Sequence, residues 1–155
     1  MVTLRPVQQT DIPALANWYV EAFSARHTEE RWNQQSASRL LEYWLERQPD
    51  LFFLAELDGV VAGAICAAIK PWWDGNHLVD GEFFVAPDWQ QQGIGRQLFK
   101  MLMSEAYQRY EIVAFDSLTF AGGFPLSWYK QLGFRVPESI VVITGNPQMI
   151  LTHLG

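Results

Sequence analysis

A short stretch from Gln90 to Arg96, QQQGIGR, has residue types and spacing that suit the binding of an anion. It follows the run EFFVA, which is typical of a half-buried strand, and it precedes apolar residues at helical spacing. The first N–H groups of a helix lack internal acceptors and carry roughly half a positive charge. Gly93 and Gly95 leave room for a phosphate to reach these groups, and Arg96 adds a full charge. The stretch therefore predicts a phosphate site at the start of a helix.

Two common phosphate motifs do not fit this stretch. Leu98 stands where a dinucleotide fingerprint needs its third glycine, and the pattern G-x-x-x-x-G-K-S/T is absent. The remaining pattern, Q-x-x-G-x-G from Gln90 to Gly95, resembles the acetyl-CoA-binding motif of the GNAT family of N-acetyltransferases. The preceding VAPDW resembles the strand-to-turn segment of that family. The alternative interpretation is a helix start whose glycines only cap and pack.

A second segment, WYKQLGF from Trp128 to Phe134, resembles the late F-Y-x-x-x-G-F segment of the same family, whose tyrosine is the usual general acid. The resemblance implies this role for Tyr129, and the alternative is a tyrosine that covers the sheet. Gly122 and Pro125 stand where family members often have Asn and Ala, so an Asn contact to the cofactor is not expected.

The resemblance implies an acetyl-CoA-dependent N-acetyltransferase, with acetyl-CoA as cosubstrate and a primary amine attacking the thioester directly. Val85 is expected to pair with the pantetheine arm, and a backbone N–H at a bulge near Val85 is expected to stabilise the oxyanion. The other predicted cofactor-binding residues belong to the glycine-bearing stretch: Gln90, Gln91, Gln92, Gly93, Ile94, Gly95 and Arg96.

The attacking amine needs a proton acceptor, because a lysine-like amine with a pKa of about 10.4 is mostly protonated near neutral pH. The candidate bases are Glu82, Asp80 and Asp116, which are all predicted on strands near the motif. Glu82 is preferred because it lies three residues before Val85 on the same predicted strand. His27, between the first two predicted helices, is a candidate for the acceptor side. For each carboxylate the alternative is a solvated or capping side chain.

Composition restricts the class of protein. The chain has 155 residues, a net charge of −6 and a single cysteine, and its acidity argues against a nucleic-acid surface. No apolar run approaches the roughly twenty residues of a membrane span, and no signal peptide or metal-ligand spacing is found. We therefore expect a cytoplasmic protein with one domain over residues 1–155 and no metal.

The elements that must position these residues follow the order β-α-α-β-β-β-α-β-α-β-β. This order predicts an α/β fold, with a central mixed sheet of about seven strands and helices on both faces, as in the GNAT-like acyl-CoA N-acyltransferase fold. The second helix is predicted over residues 28–47, and the last three strands at 134–136, 140–144 and 149–152. Trp18, Tyr19 and Phe23 form an apolar stripe on the first helix and are predicted to be core, although some of these rings could line an acceptor pocket.

The acceptor is the least determined part of the prediction. A small-molecule amine is favoured, and a peptide amine, as in a protein lysine or N-terminal acetyltransferase, is an alternative. A second alternative is a non-catalytic module that binds CoA or acyl-CoA. The pair Trp72–Trp73 in a predicted turn is a candidate pocket lip or homodimer contact.

Overall fold

The computed structural model describes residues 1–24 and 29–155, which form two compact units, residues 1–118 and 119–155. The first unit contains five strands and three helices among its described residues: β1 Val2–Pro6, α1 Ile12–Ser24, α2 Gln34–Arg47, β2 Phe52–Leu57, β3 Val60–Trp72, β4 Gly75–Val85, α3 Ile94–Tyr110 and β5 Ala114–Asp116. The second unit contains two helices, α4 Phe124–Gln131 and α5 Pro147–Leu154.

The strands form one mixed sheet in the order β1-β2-β3-β4-β5. The pairs β1–β2, β2–β3 and β3–β4 are antiparallel, and the pair β4–β5 is parallel. The α3 helix connects the parallel pair, since two parallel neighbouring strands need a crossover connection. The mixed α/β fold is confirmed, with five strands in the described residues where about seven were predicted.

Both faces of the sheet carry helices, and β4 contributes to both because alternate side chains of a strand point to opposite faces. Phe84 makes an edge-to-face contact with Tyr19 of α1, with 5.3 Å between ring centroids. Phe83 points the other way and contacts Phe99 of α3 at 6.0 Å. Apolar side chains are buried in both layers: Leu15, Leu41 and Leu54 belong to one core cluster, and Ile94, Leu98 and Leu102 of α3 are buried as well.

A bulge interrupts the pairing of β3 with β4. Cys66 pairs with Glu82 and Ala68 pairs with Val79, so β4 has one residue more than β3 between these pairs. The extra residue falls at Asp80–Gly81, where φ is 51° and 97°. The bulge predicted near Val85 therefore lies several residues earlier, since Val85 itself pairs regularly with Gly63.

The α2 helix begins later than predicted, at Gln34 and not near residue 28. Asn33 Oδ1 accepts the Ser36 N–H at 2.9 Å, and Ser36 Oγ accepts the Asn33 N–H at 3.0 Å. This reciprocal pair is a capping box, and it satisfies backbone donors that would otherwise lack partners.

The chain after α4 differs from the prediction. The predicted strands at 134–136 and 140–144 form no ladder in the described structure, because an apolar β-branched run becomes a strand only when another strand supplies its hydrogen bonds. Residues 149–152 lie in α5, not in a strand. Asn146 starts this helix, since its Oδ1 accepts the N–H groups of Gln148 and Met149 at 3.0 and 3.2 Å, and Pro147 fits the first turn.

Candidate active site

The end of β4 presents an edge that β5 does not cover. In the part of the chain that the structure describes, β5 pairs with β4 only at His77, Leu78 and Val79. The Ala86 N–H donates to the Ala62 carbonyl at 2.8 Å, which points the peptide groups of Ala86 toward β3. Because successive residues of a strand alternate in this respect, the N–H and C=O of Val85 point away from β3. Val85 therefore presents its backbone donor along the part of the β4 edge that does not pair with β5.

The start of α3 lies directly beyond this edge. Gly93 precedes the helix with φ 80° and ψ 0°, a left-handed conformation that favours glycine. A Cβ built on Gly93 meets no atom of residues 1–24 and 29–155 within 4 Å, so the position is open among them. None of the described side chains caps the helix, so its first turn offers its N–H groups to an external acceptor. A diphosphate is an acceptor of the right charge for this position.

Two glutamine side chains hold the turn before α3. Gln90 Nε2 donates to the Val85 carbonyl at 3.0 Å, and Gln92 Nε2 donates to the Asp88 carbonyl at 3.1 Å. The Gln90 amide thus joins the turn to β4, and its cofactor-binding role stays a prediction. Gln91 has φ 60° and is exposed.

Some of the first residues of α3 pack against the sheet and others are exposed to solvent. Ile94 is buried, whereas Arg96 is exposed at the first turn. A Cβ on Gly95 would lie 3.0 Å from Cζ of Phe83 and 3.6 Å from Cγ2 of Val85. Gly95 therefore allows the helix to approach β4 closely, and the structure brings the glycine turn and the Val85 edge together as the sequence predicts.

Glu82 lies on the opposite face of β4, the face covered by α1. Its Oε2 accepts a hydrogen bond from the Tyr19 hydroxyl at 2.9 Å. Burial raises the pKa of Glu82 to about 7, the hydrogen bond from Tyr19 opposes that rise, and the charges of Glu30 and Asp80 add to it. A carboxylate with this pKa exchanges protons near neutral pH, which suits a general base.

The other candidate bases lie in different surroundings. Asp80 is exposed at the bulge. Asp116 Oδ2 lies 2.5 Å from His77 Nδ1, and Asp74 Oδ1 lies 2.9 Å from His77 Nε2. These two carboxylates raise the pKa of His77, so Asp116 takes part in an ion pair that joins β5 to β4. His27 lies outside the described residues.

Tyr129 lies on α4 in the second unit. Its ring contacts Trp128 and Phe134 at centroid distances of 5.4 and 5.2 Å, and its carbonyl accepts the Phe134 N–H at 3.1 Å. Gly133 follows the helix with φ 98°, the left-handed conformation that commonly ends a helix. The general-acid role of Tyr129 stays a prediction.

The chain is similar in sequence to a known protein family. Residues 12–134 match the acetyltransferase (GNAT) family. The chain belongs to this family. It is 27% identical over 163 residues to the L-amino acid N-acyltransferase MnaT of Escherichia coli (strain K12), a match that covers 99% of this chain and 87% of that protein.

Solved structures share the GNAT fold with this chain. A predicted acetyltransferase from Clostridium acetobutylicum, crystallised with acetyl-CoA, has a TM-score of 0.72 at 18% identity and covers 93% of this chain and 96% of its own. A possible acetyltransferase from Clostridium difficile 630 has a TM-score of 0.75 at 14% identity, with coverage of 94% and 98%.

The GNAT family uses acetyl-CoA as cosubstrate, and this chain is an acyltransferase enzyme of that family. The residues present fit the cosubstrate, because the open Gly93 position, the first turn of α3 and the outward Val85 N–H all offer donors to an anionic, amide-containing ligand. Across residues 1–24 and 29–155 we find no helix with the length and apolar character needed to span a bilayer.

Sequence reasoning missed the hydrogen bond between Tyr19 and Glu82, since the two residues are 63 positions apart. One available signal was the tyrosine itself, because a hydroxyl on a buried apolar stripe needs a polar partner. The role of Gln90 in joining the turn to β4 had no separate sequence signal.

Proposed function

We propose that this enzyme transfers the acetyl group of acetyl-CoA to a primary amine of a small molecule, by direct attack and without a covalent enzyme intermediate. One observation carries the proposal: Glu82, with its pKa raised by burial to about 7, lies three residues before the outward N–H of Val85. A proton acceptor and an oxyanion donor three residues apart on one strand support aminolysis of a thioester.

Each group of the chain then has a defined task. Acetyl-CoA supplies the activated acyl carbonyl when bound. Glu82 accepts a proton from the amine, directly or through water, as the C–N bond forms. The Val85 N–H donates to the carbonyl oxygen as negative charge develops there. The Tyr129 phenol gives its proton to the sulfur as the C–S bond breaks.

The diphosphate is held by the backbone N–H groups between Gln91 and Arg96. This assignment is supported by the uncapped helix start and the open position at Gly93. The exposed Arg96 adds a positive charge to the same turn.

A small, cationic acceptor is favoured by two findings. The similar E. coli protein is an L-amino acid N-acyltransferase, which acts on a small amine. Glu30 and Asp80 lie near enough to Glu82 to affect its pKa, so the acceptor side carries negative charge. Transfer to a protein lysine or N-terminus and binding without turnover are the alternatives that the test must separate. A homodimer and a cytoplasmic location stay predictions.

The test follows thiol release from acetyl-CoA with panels of amino acids, polyamines, arylalkylamines and peptides. Amine-dependent release with at least one small acceptor, and an N-acetyl product in the mass spectrum, is expected. Release with peptides alone contradicts the small-molecule assignment, and acetyl-CoA binding without release from any acceptor contradicts catalysis.

The acid role of Tyr129 is tested with Tyr129→Phe, and Tyr107→Phe, which removes an exposed hydroxyl on α3, is the control. The Tyr129 variant is expected to lose about 10²-fold or more in kcat with unchanged acetyl-CoA affinity. Equal rates for both variants would remove Tyr129 from the mechanism.

A further inference from the structure

Tyr19 is held in one orientation by its neighbours. Its side chain is only 2% exposed, and its ring lies 4.4 Å from Phe23, 5.1 Å from Trp32 and 5.3 Å from Phe84, as centroid distances. The last two contacts are edge-to-face, an arrangement that aromatic rings prefer. The hydroxyl therefore has little freedom to leave Oε2 of Glu82, which lies at 2.9 Å.

The hydroxyl also keeps its proton. Burial, followed by the charge of Glu82, raises the pKa of Tyr19 far above its usual value of 10. Tyr19 is thus a fixed donor throughout the pH range in which an enzyme works. A phenylalanine would supply the same ring contacts, so packing alone does not explain the hydroxyl.

We infer that Tyr19 is a positioning residue for Glu82, whose hydroxyl occupies Oε2 and directs proton uptake to Oε1. The inference rests on the proposed function, in which Glu82 accepts the proton of the amine. It adds a residue of α1 to a reaction centre that is otherwise built on β4, and it requires that the loss of one hydroxyl changes how Glu82 titrates.

The titratable and polar groups that act on Glu82 lie on α1, α2, β3 and β4 and in the segment before α2. Tyr19 on α1 and the indole N–H of Trp44 on α2 favour the carboxylate, although the Trp44 N–H forms no hydrogen bond of standard geometry with described residues. Glu30, before α2, and Asp80, on β4, disfavour the carboxylate through their charge. Cys66 on β3 is buried, which raises the pKa of its thiol and keeps it neutral. Tyr19 is thus a principal donor that opposes desolvation of Glu82.

The test compares Tyr19→Phe with Tyr110→Phe. Tyr110, at the end of α3, also donates its hydroxyl to a carboxylate, that of Asp50, so the control removes an equivalent bond away from β4. Two readouts are taken: the acid limb of kcat/KM against pH, and the titration of the Glu82 carboxyl by carbon-13 NMR in the ligand-free enzyme. Tyr19→Phe is expected to move both upward by about half a pH unit or more, and Tyr110→Phe to move neither.

A site-specific 3-fluorotyrosine at position 19 keeps the shape of the ring and strengthens the donor. It is expected to move the Glu82 titration downward, and it provides a result if Tyr19→Phe does not fold. If neither Tyr19→Phe nor 3-fluorotyrosine at position 19 moves the Glu82 titration, the inference is overturned and the proposed function stands. A titration that moves while the kcat/KM profile stays fixed removes Glu82 as the base, which overturns the proposed mechanism and the role of Tyr19 with it.

Discussion

The two faces of β4 contribute to the site by different means. On the α3 face and along the open edge, the groups offered to a ligand are backbone N–H groups, from Val85 and the turn around Gly93. On the α1 face the group is a side chain, Glu82, held by the side chain of Tyr19. The first arrangement depends on conformation and on the absence of side chains, whereas the second depends on burial and on one hydrogen bond.

This difference has a consequence for mutations. A substitution on the backbone side is expected to weaken binding of acetyl-CoA, because it disturbs a cradle that holds the ligand before and after reaction. A substitution at Glu82 is expected to change the rate and its pH dependence, because proton transfer matters mainly in the transition state. Variants that separate affinity from rate therefore test the division directly.

The largest effect is expected for Glu82→Gln, which keeps a carbonyl oxygen for the Tyr19 hydroxyl but cannot accept the proton. We expect kcat/KM to fall by about 10²–10⁴-fold while the Kd for acetyl-CoA stays the same, as measured by steady-state kinetics and calorimetry. Glu105→Gln, on α3 and paired with Arg109, is the control and is expected to keep full activity. A Glu82→Gln enzyme with near-normal activity would show that this face has no base.

A smaller effect on activity, confined to the affinity for acetyl-CoA and absent from kcat, is expected for Gly93→Ala. Gly59, in the β2–β3 hairpin, is a matched control. Its φ of 81° is within a degree of the 80° of Gly93, and at both positions a built Cβ has no atom of the described chain within 4 Å. Each alanine is expected to cost about 1 kcal/mol of stability through the left-handed backbone. Only Gly93→Ala should weaken acetyl-CoA binding, by about tenfold in calorimetry. Equal affinities for the two variants would place the ligand elsewhere.

The smallest effect concerns stability on the Glu82 side. The folded-state pKa of about 7 is above the usual value of 4.5, so the folded protein binds this proton more tightly, and the contribution of Glu82 to stability decreases as pH rises from 4.5 to 7. Glu82→Gln removes that loss and is expected to stabilise the protein by about 1–3 kcal/mol at pH 8, with no gain at pH 4. Urea unfolding at the two pH values measures the difference. A variant that is less stable at pH 8 would contradict the raised pKa.

The two faces also differ in how far the sequence could predict them. The backbone groups of the site could be predicted from the sequence, because glycines at fixed spacing after a strand specify a local conformation. The structure places Gly93, Gly95 and Val85 together as expected. Glu82 could be selected by its distance from Val85 along one strand. Its contact with Tyr19 could not, because it depends on how α1 packs across 63 residues of chain.

The errors in the fold prediction have similar causes. The bulge was expected near Val85 but lies at Asp80–Gly81, since its position depends on the register between β3 and β4 and not on local propensity. The apolar segment 140–144 has the composition of a strand but forms no ladder of hydrogen bonds with another described strand. The sequence signal for α5 is a helix cap, Asn146 followed by Pro147. In this part of the chain, capping residues therefore indicate the structure better than β-branched composition does.

The central claim is that the free edge of β4 and the start of α3 together hold acetyl-CoA, and amide hydrogen exchange at Val85 tests it most directly. The Val85 N–H faces the open edge, while the neighbouring Ala86 N–H already donates to Ala62 and serves as an internal control. Saturating acetyl-CoA is expected to slow exchange at Val85 by about tenfold or more and to leave Ala86 unchanged. Saturable binding of acetyl-CoA with unaltered exchange at Val85 would contradict the claim.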